Sequence, residues 1–214
     1  MQPVHQATQE SAGDTREKLL DAAEPLFAEH GYAATSMRAI AQSAGVNLGA
    51  ANYHFGSKMG LFAAVFHRRI QPINEHRLSL LKGLIESDHP LTIRGILDAF
   101  YLPVVEAVVA GQAPRIIGRL FGEPESITRP ILEAEFSEVA AAFQQALARM
   151  LPDLPPDELQ WRFHFTVGAM VHLILFQAPL ASESTPDKFI QGMDSLINYA
   201  AAGLAQVPPG RHDD

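Results

Sequence analysis

Apolar residues recur along this chain with a helical period and nowhere with the alternation of a strand, so every element they predict is a helix. Leu19, Ala22, Ala23, Leu26 and Phe27 form the first stripe, with Asp14 and Glu17 as a capping-box start and Gly31 as the stop. Pro25 lies inside that stripe and predicts a kink, because its ring removes the bond to the carbonyl of Asp21. Met37, Ile40, Ala41 and Ala44 predict a short second helix, capped by Thr35 or Ser36 and stopped by Gly45, with Val46 folding back as an apolar plug. Asn47 is placed to cap a third helix over residues 48–55, and Ser57 a long fourth beginning at Lys58. In the fourth, Leu61, Phe62, Val65, Phe66 and Ile70 face inward and Arg68 and Arg69 outward; Pro72 predicts a bend before Leu78, Leu81, Leu84 and Ile85.

Past residue 88 only periodicity remains. It predicts helices over residues 91–110 with a kink at Pro103, over 114–121, over 131–151 after a loop containing Gly122, Pro124 and Pro130, over 157–176, and over 187–204. Residues 1–13 read as a polar disordered arm and 207–214 as a tail. The stretch 161–176 is apolar around most of its circumference and needs cover on nearly every side, which a two-fold partner supplies more readily than one chain of this size.

Residues 36–58 have the layout of a helix-turn-helix. The second helix of that pair begins with the slim residues Leu48, Gly49, Ala50 and Ala51, followed by Asn52, Tyr53 and His54, a surface suited to insertion into a major groove. A tight hairpin buried in a core is the competing reading, but it would leave three consecutive polar groups to be partnered. Phe55 reads as core, and His54 as either a phosphate contact or a capping or core residue.

Residues 15–66 resemble the DNA-binding domain of the TetR family of bacterial transcription regulators. The resemblance rests on Leu26-Phe27, Gly31-Tyr32, Thr35-Ser36, Ile40-Ala41, Ala44-Gly45-Val46 and Tyr53-His54-Phe55-Gly56-Ser57-Lys58, all at the family's spacing. It implies an all-α chain: a three-helix DNA-binding domain over residues 14–60, then a larger helical ligand-binding and dimerisation domain over 61–206. It also implies that Arg38, Ala50, Asn52, Tyr53, His54 and Lys58 touch bases or backbone, with Leu48 and Gly49 at the helix tip. The hydroxyls of Thr35 and Ser36 are within the same reach. Arg38 is the candidate for guanine, and Lys58, in the first turn of its helix, for a phosphate. The resemblance further implies a homodimer built on the last two long helices, which would use Trp161, His164, Gly168, Val171, Leu175, Phe189, Leu196 and Tyr199. The expected partners are a palindromic double-stranded DNA operator and a small apolar effector, with activation or a partner protein as the alternative to repression.

For the effector, Arg115 and Arg119 stand one helical turn apart beside Phe121 and could anchor an apolar acid, with Phe165 and His172 as further lining. His164 and His172 are eight residues apart and cannot chelate a metal as an i, i+4 pair would, so no metal or other cofactor is expected. The residues offer little for an enzyme: GVNLG lacks a nucleophile's serine and GSKMG the spacing of a phosphate loop. The composition is 47% apolar and 19% charged, without cysteine, so disulfide and thiolate chemistry are excluded. No signal-like or membrane-spanning run is visible, which makes cytoplasmic residence the expectation. The net charge of −8 is unevenly spread: residues 30–74 hold Arg38, Lys58, Arg68 and Arg69 and no acid. That basic segment is expected to face phosphate.

Overall fold

A computed structural model of the chain describes residues 4–110, 115–176 and 185–206. Among these residues there is no strand, and nine helices follow in order: α1 Val4–Ala34, α2 Met37–Ser43, α3 Leu48–Phe55, α4 Lys58–Glu86, α5 Ile93–Val109, α6 Arg115–Phe121, α7 Glu125–Met150, α8 Pro156–Phe176 and α9 Pro186–Ala205.

The boundaries of α2 and α3 fall where their caps and glycines predict. Two others move. α1 starts at Val4, inside the expected arm, so Asp14 does not cap it and instead pairs with Lys18 on an exposed face. α7 starts at Glu125 and runs through Pro130. The carbonyl of Pro124 accepts from Ile127 N (2.8 Å) and Thr128 N (3.1 Å), so the helix is launched before Pro130, which then removes only one bond of the ladder. In α1 the break is at Gly31 (φ 79°, ψ 176°), six residues beyond Pro25. The tail at 207–214 lies outside the described residues.

The chain divides into two compact units. Unit 1 comprises residues 1–71 and 114–135, so α6 and the start of α7 join the N-terminal helices. Its interior contains Leu19, Leu20, Ala23 and Phe27 of α1, Ile40 and Ala41 of α2, Ala51 of α3, and Leu61, Phe62, Val65 and Phe66 of α4. Phe62 meets Phe27 edge-on at 4.9 Å and Tyr32 at 5.3 Å. Where α1 stops, Arg119 of α6 donates to the carbonyls of Ala28 (3.0 Å) and Glu29 (2.6 Å), and Glu123 accepts from Tyr32 N (2.8 Å).

Unit 2 comprises residues 72–113 and 136–214. Its core is made by Leu81, Ile96, Leu97, Phe100, Tyr101, Val139, Phe143, Leu147, Leu159, Phe163, Met170, Phe189, Met193 and Ile197. Phe100 sits at the centre of an aromatic cluster, edge-on to Phe143 at 5.0 Å and to Phe163 at 5.5 Å.

Candidate functional site

The helix-turn-helix is fixed by local chemistry at each joint. Ser36 Oγ accepts from Ala39 N (3.1 Å), capping α2, and Asn47 Oδ1 accepts from Ala50 N (2.8 Å), capping α3. Between them Gly45 takes φ 68°. Gly45 N then reaches Gln42 O at 3.2 Å and Val46 N reaches Ala41 O at 3.0 Å, the paired closure of a Schellman turn. Ala51, fully buried, pins α3 to the unit, and the opposite face of the helix is left outside. Ser36, Arg38, Gln42, Asn47, Leu48, Gly49, Asn52 and Tyr53 are exposed, Tyr53 to 85%, and Ala50 is half-buried. His54 is half-buried with its ring edge-on to Tyr53 at 5.3 Å. Phe55 is half-buried too, less enclosed than its core reading predicts, with the Arg16 guanidinium 5.6 Å from its centroid.

Two expected phosphate ligands are engaged internally. Thr35 is buried and its hydroxyl donates to Gly31 O (2.8 Å) and Leu26 O (3.2 Å), closing the break in α1. Lys58 Nζ donates to Tyr32 O (2.8 Å) and Thr35 O (3.0 Å) and lies 4.2 Å from the Tyr32 ring centroid. It ties the α1–α2 connection to the start of α4. The basic segment is also less basic in space than along the chain. Arg68 meets Asp21 at 2.7 Å and Glu24 at 2.8 Å, while Arg69 grips Glu24 through two bonds of 2.7 and 2.8 Å. Burial works to lower the Arg68 pKa, but the hydrogen bonds it donates to Asp21 and Glu24 outweigh that and hold it above its ordinary value.

Sequence reasoning misses Gly60. A Cβ there would lie 2.2 Å from the carbonyl oxygen of Phe55, so α4 can begin this close to the end of α3 only with glycine at that position. The sequence signal was available in the spacing Gly56-Ser57-Lys58-Met59-Gly60, where a second glycine follows the cap.

In unit 2, α8 presents Trp161 (59% exposed), His164, Phe165 (63%), Gly168 and His172 on an outer face, with Val171 and Leu175 half-buried. The described residues of the chain therefore do not cover this helix on all sides. Beside it, Tyr199 of α9 is 76% exposed and Leu196 half-buried. A groove of about 510 Å³ along these helices is lined by Phe165, Thr166, Ala169, Leu196, Tyr199 and Ala200. Phe189, expected at an interface, is instead buried in the core of unit 2.

The residues expected to bind an effector are shared between the two units. Arg119 is bonded to the end of α1 and Phe121 is 40% exposed, both in unit 1; Phe165 and His172 are on α8 in unit 2; the side chain of Arg115 lies outside the described residues. No group of residues able to hold a metal ion occurs among the described residues. What the sequence reading passed over is a polar pair on the inner stripe of α4, Asn74 and Arg77, both buried. The signal is their register: Ile70, Asn74, Arg77 and Leu81 share one helical face.

A capped helical pair that leaves the slim side of its second helix exposed, carried on a chain with a separate helical unit, defines a helix-turn-helix protein. Residues 19–65 match the family described as bacterial regulatory proteins, tetR family, and residues 98–203 match the tetracyclin repressor-like C-terminal domain. The chain belongs to the TetR family of bacterial transcriptional regulators. It is similar to the HTH-type transcriptional regulator AcrR of Shigella flexneri, 29% identical over 51% of this chain and 49% of that protein. It is also similar to the HTH-type transcriptional activator FasR of Mycolicibacterium smegmatis, 24% identical over 91% of this chain and 85% of that one. With AcrR and several other curated relatives, the alignment spans about half of the relative's length. A crystal structure of AibR in complex with isovaleryl coenzyme A and operator DNA superposes with a TM-score of 0.61, at 18% identity over 86% of this chain and 97% of the other, a likeness of fold.

Proposed function

We propose that the chain is a homodimeric repressor that binds a palindromic operator and is released from it by a small apolar effector. The observation that carries this is the exposed face of α3, slender at Leu48, Gly49 and Ala50 and polar at Asn52 and Tyr53, on a helix capped at one end and pinned by Ala51. Its first turn would enter the major groove, with Asn52 and Arg38 meeting base edges and Ser36, Tyr53 and His54 meeting phosphates. Thr35 and Lys58 hold the domain together instead. A second copy of the chain would cover Trp161, Phe165, Leu196 and Tyr199. A two-fold dimer sets two recognition helices about one helical turn of DNA apart, or a multiple of it. An effector that favours a different spacing then lowers affinity for DNA. The site of action is the cytoplasm, where bacterial DNA lies.

The test is binding of the purified chain to DNA upstream of its own gene across a salt series. With Arg68 and Arg69 neutralised, few cations remain to displace counter-ions, so log K should fall with log salt at a shallow slope of about −2 to −4 per dimer. Absence of binding at low salt would remove the reading. FasR, named an activator and alignable over most of this chain, supports a second reading as activator. A footprint upstream of the promoter favours activation, one across it repression.

A further inference from the structure

Arg77 is a buried cation with no counter-ion among the described residues. It is 2% exposed, at the heart of unit 2. Its Nε donates to Phe100 O (2.8 Å), Nη1 to Asn74 Oδ1 (3.1 Å) and Nη2 to Met170 Sδ (3.6 Å), and its guanidinium lies 4.2 Å from the Phe100 ring centroid. Every one of these partners is neutral, and no described carboxylate pairs with it. A guanidinium has five N–H donors, so one on each terminal nitrogen has no acceptor among the described residues, and a third is met only by a thioether. Burial pulls the group down to about 10, with the Tyr101 hydroxyl opposing, so it is still charged at neutral pH. Buried ions are ordinarily paired, because desolvating one costs several kcal/mol that neutral acceptors only partly return.

The surroundings say what kind of counter-ion fits. Phe100 and Met170, which touch the guanidinium, belong to the apolar core, with Phe143 and Phe163 packed on the Phe100 ring, and Tyr101 donates its own proton to Thr166 O (3.1 Å), so it offers no second charge. Met170 is an unbranched, flexible side chain whose sulfur is a weak acceptor, easily displaced from Nη2. We propose that Arg77 is the seat for the carboxylate of an apolar organic acid, which takes the two terminal nitrogens as a fork and displaces the Met170 sulfur. This rests on the effector-released reading above and names its ligand class. Met170 belongs to α8, the helix whose outer face carries Trp161 and Phe165, so a ligand that moves Met170 acts on the element that would form the dimer.

The experiment titrates straight-chain carboxylates from butyrate to palmitate, each against its primary amide, into the full-length protein at pH 7, reading affinity by calorimetry and release of operator DNA by anisotropy. At least one acid should bind about tenfold or more tightly than its amide, the difference of one charge-assisted fork. Arg77→Gln should erase that preference, and Arg77→Lys should keep part of it. Without ligand, Arg77→Met should melt within about 5 °C of the wild type, because release of the uncompensated charge offsets the donors that Phe100 O and Asn74 Oδ1 lose. Amides that bind and release DNA as well as acids would overturn the Arg77 seat and leave the effector reading standing. If neither series binds, both fall. A drop of more than about 5 °C in the ligand-free Arg77→Met protein would also overturn the proposal, by showing that Arg77 is already satisfied in the empty fold. Should a variant fail to fold, the acid-against-amide comparison in the wild type still decides.

Discussion

Helix α4 carries arginines in both units, and their treatment differs. In unit 1, Arg68 and Arg69 are met by Asp21 and Glu24, and the neighbouring Lys58 by three backbone carbonyls. In unit 2, Arg77 is more deeply buried and meets only neutral atoms. Half-buried Lys58 has an acceptor for each of its three N–H groups, while Arg68 and Arg69 find a counter-charge inside the fold. A cation buried without one marks where the fold is incomplete without a ligand. The exposed surfaces differ in the same instructive way: unit 1 shows slim and polar residues on α3, suited to DNA, while unit 2 shows aromatic residues on α8, suited to protein.

The largest effect is expected at the joint that makes the α3 surface possible. Gly60→Ala forces a Cβ against the Phe55 carbonyl, where the contact is backbone and cannot give, and should cost about 2–4 kcal/mol of stability and abolish DNA binding. A circular dichroism melt and an operator titration read both losses. Lys58→Met comes next: it should lose about 2 kcal/mol of stability, because three carbonyls lose a charged donor. A phosphate-gripping lysine would give the opposite pattern, with affinity lost and the melting temperature held.

Trp161→Glu with Tyr199→Glu tests the other surface. Both side chains are exposed on the single chain, so secondary structure should survive while the dimer dissociates at micromolar concentration in sedimentation. A dimer that persists would move the interface elsewhere. Smallest are the caps: Ser36→Ala and Asn47→Ala should each cost about 1 kcal/mol in thermal unfolding, and Asn47→Ala should weaken DNA binding more because it frays the end of α3 that we propose enters the groove.

Much of this was legible in the sequence where the chemistry is local. Ser36, Gly45 and Asn47 act on residues within five positions of themselves, so α2 and α3 could be drawn from spacing alone. The start of α7 was not, since Pro130 reads as a breaker until Pro124 is seen to launch the helix six residues earlier. Charge failed for a related reason. A count over residues 30–74 leaves out Glu17, Asp21 and Glu24, which lie earlier in the chain and close onto Arg68 and Arg69. The hydrogen bonds of Lys58 were hidden because a motif records that a lysine is present, not which carbonyls surround it. Arg77 was visible as a polar residue on an apolar stripe, but only the structure shows that no described acidic residue comes to meet it.

The most direct test of the account is the salt dependence of DNA binding by three proteins: the wild type, Arg38→Ala and Lys58→Met. Exposed Arg38 should contribute to the slope, so its removal should make the slope shallower by about 1 per protomer, while Lys58→Met leaves the slope unchanged and lowers the melting temperature. A slope that drops with Lys58→Met and not with Arg38→Ala would contradict the division between a reading surface at α2–α3 and a lysine that holds the fold.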